Sequence, residues 1–182
     1  MILIGIDPGT ATTGFGVIEK QGDRLRFVDC GTFETPPDLD APARLKMIYE
    51  DFNTLLDRYQ PAGVATERLF FTNNVTTGIP VGRALGVILL TLAQRGLSET
   101  WAEYTPTQVK MATVGTGRAD KKQMQFMVTR LLGLNATPKP DDAADALAIA
   151  LCHAHSLGRV PLPDAPAAAS PARPPVRRGV RG

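Results

Sequence analysis

Apolar residues fill almost every position from Ile2 to Ile6, and the run stops abruptly at Asp7-Pro8-Gly9. Such continuity predicts a strand over residues 2–7 that is buried on both faces, as in the middle of a sheet. Gly14-Phe15-Gly16-Val17-Ile18 and Leu25-Arg26-Phe27-Val28-Asp29-Cys30 lie in two further strand patterns, residues 13–20 and 25–35, joined by the turn signal Gln21-Gly22-Asp23. Three strands on short links predict an antiparallel meander.

The hydrophobic period then changes. Leu45, Ile48, Tyr49, Phe52, Leu55, Leu56 and Tyr59 keep the spacing of one helix face, and Pro61 stops the helix. A short strand, 63–67, leads into a polar and aromatic loop over 68–77. A second helix is expected over 79–94, with Pro80 in its first turn, where no backbone donor is lost. Residues 99–104 read as another strand, and Thr105-Pro106-Thr107-Gln108 has the spacing of a capping box that opens a short helix. After the flexible stretch Val114-Gly115-Thr116-Gly117, Asp120 caps a helix striped by Met124, Met127, Val128, Leu131 and Leu132. Pro138-Lys139-Pro140 precedes a last helix over 142–157. The order predicts an α/β domain with a mixed five-stranded sheet, three antiparallel strands followed by a parallel βαβ half, flanked by helices.

Length and composition narrow the class. The chain has 182 residues, 43% hydrophobic and 21% charged, which suits one soluble globular domain. That domain is expected to span residues 1–158. Residues 159–182, rich in Pro, Ala and Arg without periodicity, are expected to form a disordered tail, because they bury too little apolar surface to offset chain entropy. Cys30 and Cys152 lie far apart in apolar settings, as reduced thiols rather than a disulfide framework. The start Met1 to Asp7 lacks the basic leader of a signal peptide, and the apolar stretch 84–93 is about half of the roughly 20 residues a membrane span needs. No membrane association and a cytoplasmic location are expected. The formal charge of +2 is unevenly placed. From Asp164 onward, four arginines and that one acid give +3, and the remaining sixteen basic and seventeen acidic residues give −1. Nucleic-acid binding by the folded part therefore has to rest on local patches.

Four acids stand at ends of elements. Asp7 closes the first strand, where the alternative role is an Asx turn. Glu67 closes the short fourth strand, with a solvated strand end as its alternative. In a βαβ half these two strands are neighbours, which would bring both carboxylates to one edge. Asp142 and Asp145 share a helix face at i, i+3. The helix dipole accounts for an acid in the first turn, at Asp141 or Asp142, but poorly for Asp145 among alanines. Spacing alone leaves Asp141 and Asp142 as rival partners of Asp145. Oxygen ligands of this kind suit magnesium or manganese, and a pair of such ions would activate water and stabilise a leaving phosphodiester oxygen. Cys152, His153 and His155 lack a second ligand pair elsewhere and read as a helix end near the surface.

The motifs Ile4-Gly5-Ile6-Asp7-Pro8-Gly9-Thr10, Thr66-Glu67-Arg68-Leu69-Phe70 and Asp142-Ala143-Ala144-Asp145-Ala146-Leu147-Ala148-Ile149-Ala150 closely resemble the RuvC Holliday junction resolvases. Gln108-Val109-Lys110 and Val114-Gly115-Thr116-Gly117 are similar to the same family, and the likeness runs over residues 1–158 in order. The resemblance implies an RNase H-like fold, a homodimer, and a structure-selective endonuclease that makes paired, symmetric nicks in four-way junction DNA during recombination and repair. It places the catalytic, metal-binding acids at Asp7, Glu67, Asp142 and Asp145, with two Mg2+ per site and Mn2+ as a substitute. Some relatives carry a histidine where Asp142 stands. DNA contacts are implied for Lys110, Lys121 and Phe70, the last as an aromatic inserted at the junction core. Phe71, Lys122 and Arg118 are neighbouring candidates for DNA contact, with core packing as the alternative for Phe71 and a solvated helix lysine as that for Lys122, whereas Asn73 and Asn74 are not expected to read bases. A branch-migration motor of the RuvA and RuvB type is the implied partner. Pro80 departs from the family pattern in the second helix. Gly82, Ala84, Gly86 and Val87 there make a small-residue face suited either to a second copy or to the sheet. Two other readings compete: a non-catalytic junction-binding relative, and a nucleotide-binding domain of the actin and Hsp70 type. The latter needs two lobes and a second phosphate loop, for which the chain is too short.

Overall fold

The strand Ile2–Asp7 (β1) lies at the centre of a five-stranded sheet. The computed structural model describes residues 1–69 and 75–157, with backbone only at 75–77. The expectations for Phe70, Phe71, Asn73, Asn74 and the 159–182 tail lie outside the described residues.

Thr12–Gln21 (β2) pairs antiparallel with β1 on one side, and Arg24–Glu34 (β3) continues the meander. Gly22 takes the left-handed conformation (φ 59°) that the tight link requires. On the other side of β1 the parallel strand Gly63–Glu67 (β4) is followed by Trp101–Tyr104 (β5), giving the order β3-β2-β1-β4-β5. The mixed sheet is the one the periodicity predicts.

Helices cover both faces. Ala41–Tyr59 (α1) and Val75–Gln94 (α2) pack on one face, where Ile4, Ile6, Val17 and Val64 meet Ile48, Phe52, Leu56, Ala84 and Ile88. Pro106–Val114 (α3), Lys121–Leu131 (α4) and Asp141–Ser156 (α5) pack on the other, over Leu3, Ile18 and Ala65. The capping box anticipated at Thr105/Gln108 is formed, and the anticipated Asp120 cap is present as a capping box with Gln123. A third cap is Asp40, whose carboxylate accepts from the Ala43 amide at 2.9 Å.

Three local expectations are corrected. Helix α2 starts at Val75, so Pro80 is inside it rather than in its first turn. A proline there costs one i to i−4 bond; the Pro80 carbonyl meanwhile accepts from the Thr10 hydroxyl, tying α2 to the loop after β1. Strand β5 is shorter than expected, because Ser98–Thr100 forms a single 3-10 turn before it. Cys152 and His153 are not at a surface helix end. They are buried, because α5 runs across the sheet and its last turns are covered by β4 and β5. Cys30 and Cys152 are both free.

Candidate active site

β1 and β4 run parallel with Ile6 level with Thr66, so Asp7 and Glu67 leave the sheet at the same edge. Side chains alternate along a strand. Asp7 therefore shares a face with Leu3 and Gly5, and Glu67 with Ala65, which is the face that α5 covers.

Helix α5 comes so near because the strands beneath it are bare. A Cβ at Gly5 would lie 2.1 Å from the Ala146 carbonyl oxygen, and one at Gly16 2.6 Å from the Leu147 nitrogen. A Cβ at Gly14 would lie 2.2 Å from the Asp142 carbonyl oxygen. Gly5 pairs with Gly16 and Asp7 with Gly14, so these glycines form one trough across β1 and β2. Main chain rests on main chain, and the first turns of α5 bring Asp142 and Asp145 to the end of β1. The periodicity of the sequence contains no sign of this trough; the unusual frequency of Gly at 5, 14 and 16 was the available signal.

The loop that follows Asp7 is held by threonines. Thr13 donates its hydroxyl to the Gly9 carbonyl at 2.6 Å, and Thr35 donates to the Thr10 carbonyl at 2.6 Å. The Arg44 guanidinium in turn donates to the Thr35 hydroxyl at 2.7 Å. Glu67 is steadied from the other side: the Arg68 amide donates to the Tyr104 carbonyl at 2.8 Å, and Arg68 pairs with Glu103 at 2.9 Å. These supports were not legible as motifs.

Asp7, Glu67 and Asp145 line one pocket of about 280 Å³ together with Lys110 from α3 and Lys121 from α4. Asp142 does not line it. It stands at the Gly14 side and acts through its charge on both Asp7 and Asp145. Burial, then Asp145, Glu67 and Asp142, push the Asp7 carboxyl up to about 7. Burial and Asp145 raise Glu67, opposed by Lys110. Burial also raises Asp145, against the opposing pull of Lys121. The Lys121 ammonium sits 3.5 Å from Asp145 and 3.2 Å from Asp141. Asp141 is further engaged by Gln125 at 3.0 Å and Lys139 at 3.4 Å, and so belongs to the lysine cluster beside the pocket.

The donor set is all carboxylate oxygen, with a surplus of negative charge that protonation of Asp7 only partly relieves. Such a site fits a hard divalent cation. Among the described residues, no three His, Cys, Asp or Glu side chains are gathered closely enough to form a metal cage as they stand. The acids are coupled by charge rather than converged on one point, as mutual repulsion requires. Of the other candidates, Lys122 is exposed on the outer side of α4, and Arg118 is exposed in the loop before it; neither lines the pocket.

Comparison with known proteins identifies a family. The family model described as "Crossover junction endodeoxyribonuclease RuvC" matches residues 3–153. A protein of that name from Desulfitobacterium hafniense is 55% identical over 157 residues, 86% of this chain and 94% of the relative. The structure of Thermus thermophilus RuvC in complex with a Holliday junction substrate superimposes with a TM-score of 0.79 at 37% identity, covering 85% of this chain and 93% of that one. The yeast mitochondrial Holliday junction resolvase Ydc2 shares the fold at 15% identity, with a TM-score of 0.61 and coverage of 84% and 78%. The five-stranded mixed sheet is thus an RNase H-like resolvase fold, and neither the nucleotide-binding reading nor the non-catalytic one is favoured. With a family match over residues 3–153 and 55% identity over 157 residues to a named relative, the chain belongs to the RuvC family of crossover junction endodeoxyribonucleases.

Proposed function

We propose that Asp7, Glu67, Asp142 and Asp145 are the catalytic, metal-holding acids of a Holliday junction resolvase that cuts four-way junctions by paired, symmetric nicks. The observation that carries this reading is geometric: Asp7 and Glu67 from adjacent parallel strands and Asp145 from α5 line one pocket with Lys110 and Lys121, where partial burial first, and three neighbouring carboxylates second, push the Asp7 carboxyl up to about 7. Structural ion pairing does not account for it, since the carboxylates are held together against their own repulsion. Nucleases of this family are metal-dependent. We take the metal to be magnesium, two ions per site with manganese as a substitute, supplying the charge that activates water and stabilises the leaving oxygen.

The chain's own residues then have separate tasks. Asp7 and Glu67, on adjacent parallel strands, set a rigid edge for cation binding. Asp145 lies on α5 against that edge, and Asp142 adds negative charge from the Gly14 side. Lys110 and Lys121 bind the scissile phosphate as point charges, which positions the backbone without reading sequence. Lys121 also offsets the repulsion that Asp145 meets. Phe70, Phe71, Arg118 and Lys122 remain candidates for further DNA contact.

A four-way junction has approximate two-fold symmetry, so two active sites in an isologous homodimer match it. Helix α2 offers a surface for the second copy, with Ile79 and Leu90 exposed on either side of Gly86. The catalytic unit lies within residues 1–158, a branch-migration motor of the RuvA and RuvB type is the natural partner, and the working compartment is the cytoplasm. Among the described residues, no helix is long and apolar enough to cross a membrane.

The test is a labelled synthetic four-way junction incubated with magnesium and either wild type or Asp7→Asn. Wild type is expected to release symmetric nicked duplexes, while the variant binds the junction and leaves it whole. Intact junctions with wild type would sink the nuclease assignment.

A further inference from the structure

Helix α4 has two working faces. Lys121 and Met124 wall the acidic pocket. Around the same helix, Lys122, Gln125, Phe126, Thr129 and Arg130, with Asn135 from the following loop, line a second, open groove of about 510 Å³.

Lys122 and Arg130 are the charged residues of this groove, with no acid among its lining, whereas Lys121 and Lys139 nearby are paired with Asp141. Phe126 is 56% exposed, and the Arg130 guanidinium lies over its ring at 5.3 Å from the centroid. A stacked guanidinium keeps its edge donors free and has a fixed plane. An apolar ring left this open in the middle of a helix contributes little to the core, while ring and guanidinium together make a flat platform with charge at its rim. Asn135 adds an uncharged hydrogen-bonding group to the lining, while Gln125 donates to Asp141 at 3.0 Å and Thr129 to the Gln125 carbonyl at 2.7 Å. From Lys122 to Arg130 the helix rises about 12 Å, which matches about three to four base pairs of duplex at 3.4 Å each.

We propose that this groove is a second DNA subsite, which takes the sugar-phosphate backbone of a junction arm as it leaves the cutting site over α4. The inference rests on the junction-resolvase reading and deepens it. The charge pattern favours a polyanion, and the shared helix makes the path from Lys121 to Lys122 continuous. An acidic protein partner is the competing occupant.

Junction binding by the full chain, measured in EDTA over a range of salt, tests this. Lys122→Ala combined with Arg130→Ala is expected to weaken binding by on the order of tenfold at 0.1 M salt and to reduce the log–log salt slope by about 2. A control pair, Lys46→Ala with Arg58→Ala, removes the same charge from α1 on the opposite sheet face and is expected to leave the slope near wild type. Equal slopes for all three proteins, or an equal fall for both pairs, would overturn the subsite. In wild type, bound junction is expected to slow acetylation of the Lys122 amine; unchanged reactivity counts against the proposal without reliance on any variant. Retained DNA affinity with loss of response to a protein partner would assign the groove to that partner instead. Nicking of the junction by wild type in magnesium tests the underlying reading separately, so the two failures are distinguishable.

Discussion

Asp7 stands directly across the β1–β2 ladder from Gly14, and the space that a Gly14 side chain would need is taken by the main-chain carbonyl of Asp142. One missing Cβ thus sets the separation between the strand acid and the helix that carries the other two. The geometry of the candidate site depends on a residue with no chemistry of its own.

Gly14→Ala follows from that relationship. The new methyl would lie 2.2 Å from the Asp142 oxygen, so the start of α5 has to move. Overpacking of this kind costs about 1–3 kcal/mol, and a displacement near 1 Å at a reacting centre costs on the order of a hundredfold in rate. Thermal denaturation and single-turnover junction cleavage are expected to show a modest loss of stability and a much larger loss of activity. Wild-type cleavage by the variant would refute the role assigned to the trough.

Asp7→Asn is expected to stabilise the protein while abolishing cleavage. The Asp7 carboxyl is raised from 3.8 to about 7, so the folded state binds the proton more tightly than the unfolded one. Its ionisation therefore costs stability progressively as pH rises from about 4 to 7, and the full cost, a few kcal/mol, persists above pH 7. In EDTA at pH 8 the variant should melt several degrees above wild type, at about 2–4 °C per kcal/mol for a domain of this size. The gap should close below pH 4 and narrow when magnesium is added. Equal melting temperatures at pH 8 would contradict the burial and repulsion at Asp7.

His153 predicts the opposite sign at acid pH. It is buried, its Nδ1 lies 2.9 Å from the Tyr104 hydroxyl, and burial lowers it from 6.5 to about 4. The unfolded chain takes up the proton first, so stability present above about pH 6.5 is lost as pH falls toward 4, by roughly 3 kcal/mol. His153→Gln cannot titrate and is expected to flatten melting temperature against pH in that window. A slope identical to wild type would mean that His153 is not held neutral.

Lys121→Met separates binding from cutting. Lys121 bridges Asp141 and Asp145 at 3.2 and 3.5 Å, inside the pocket that Asp7 and Glu67 line. Loss of one preorganised charge at a reacting centre costs about a hundred- to a thousandfold in rate, while one phosphate contact changes the salt slope of binding by only about 1. Single-turnover cleavage beside binding in EDTA should show this split. Equal losses in both would make Lys121 a DNA-binding residue only.

Much of the architecture was legible because helix and strand periods are local properties. The continuous run Ile2 to Ile6, the alternating β2 and β3, and the caps at Thr105 and Asp120 all depend on residues within four or so positions of each other. Pro80 and His153 depart from their local patterns for the complementary reason. The helix-start rule puts Pro80 in a first turn, yet α2 begins at Val75, and the Pro80 carbonyl accepts from the Thr10 hydroxyl, seventy residues away. His153 reads as polar at a helix end, and only the crossing of α5 over β4 and β5 buries it.

The candidate site divides in the same way. By itself the sequence determined that Asp7 and Glu67 end strands and that Asp142 and Asp145 share one turn-spaced helix face, because each statement concerns a single element. The tertiary structure alone decided that β1 and β4 are parallel neighbours, that bare glycines admit α5 to backbone contact, and that Lys110 and Lys121 close the pocket. It also decided that Asp141 turns to Lys121, Lys139 and Gln125, while Asp7 is driven to about 7. Register, helix docking and desolvation couple residues more than a hundred positions apart, and no local pattern encodes the distance between them.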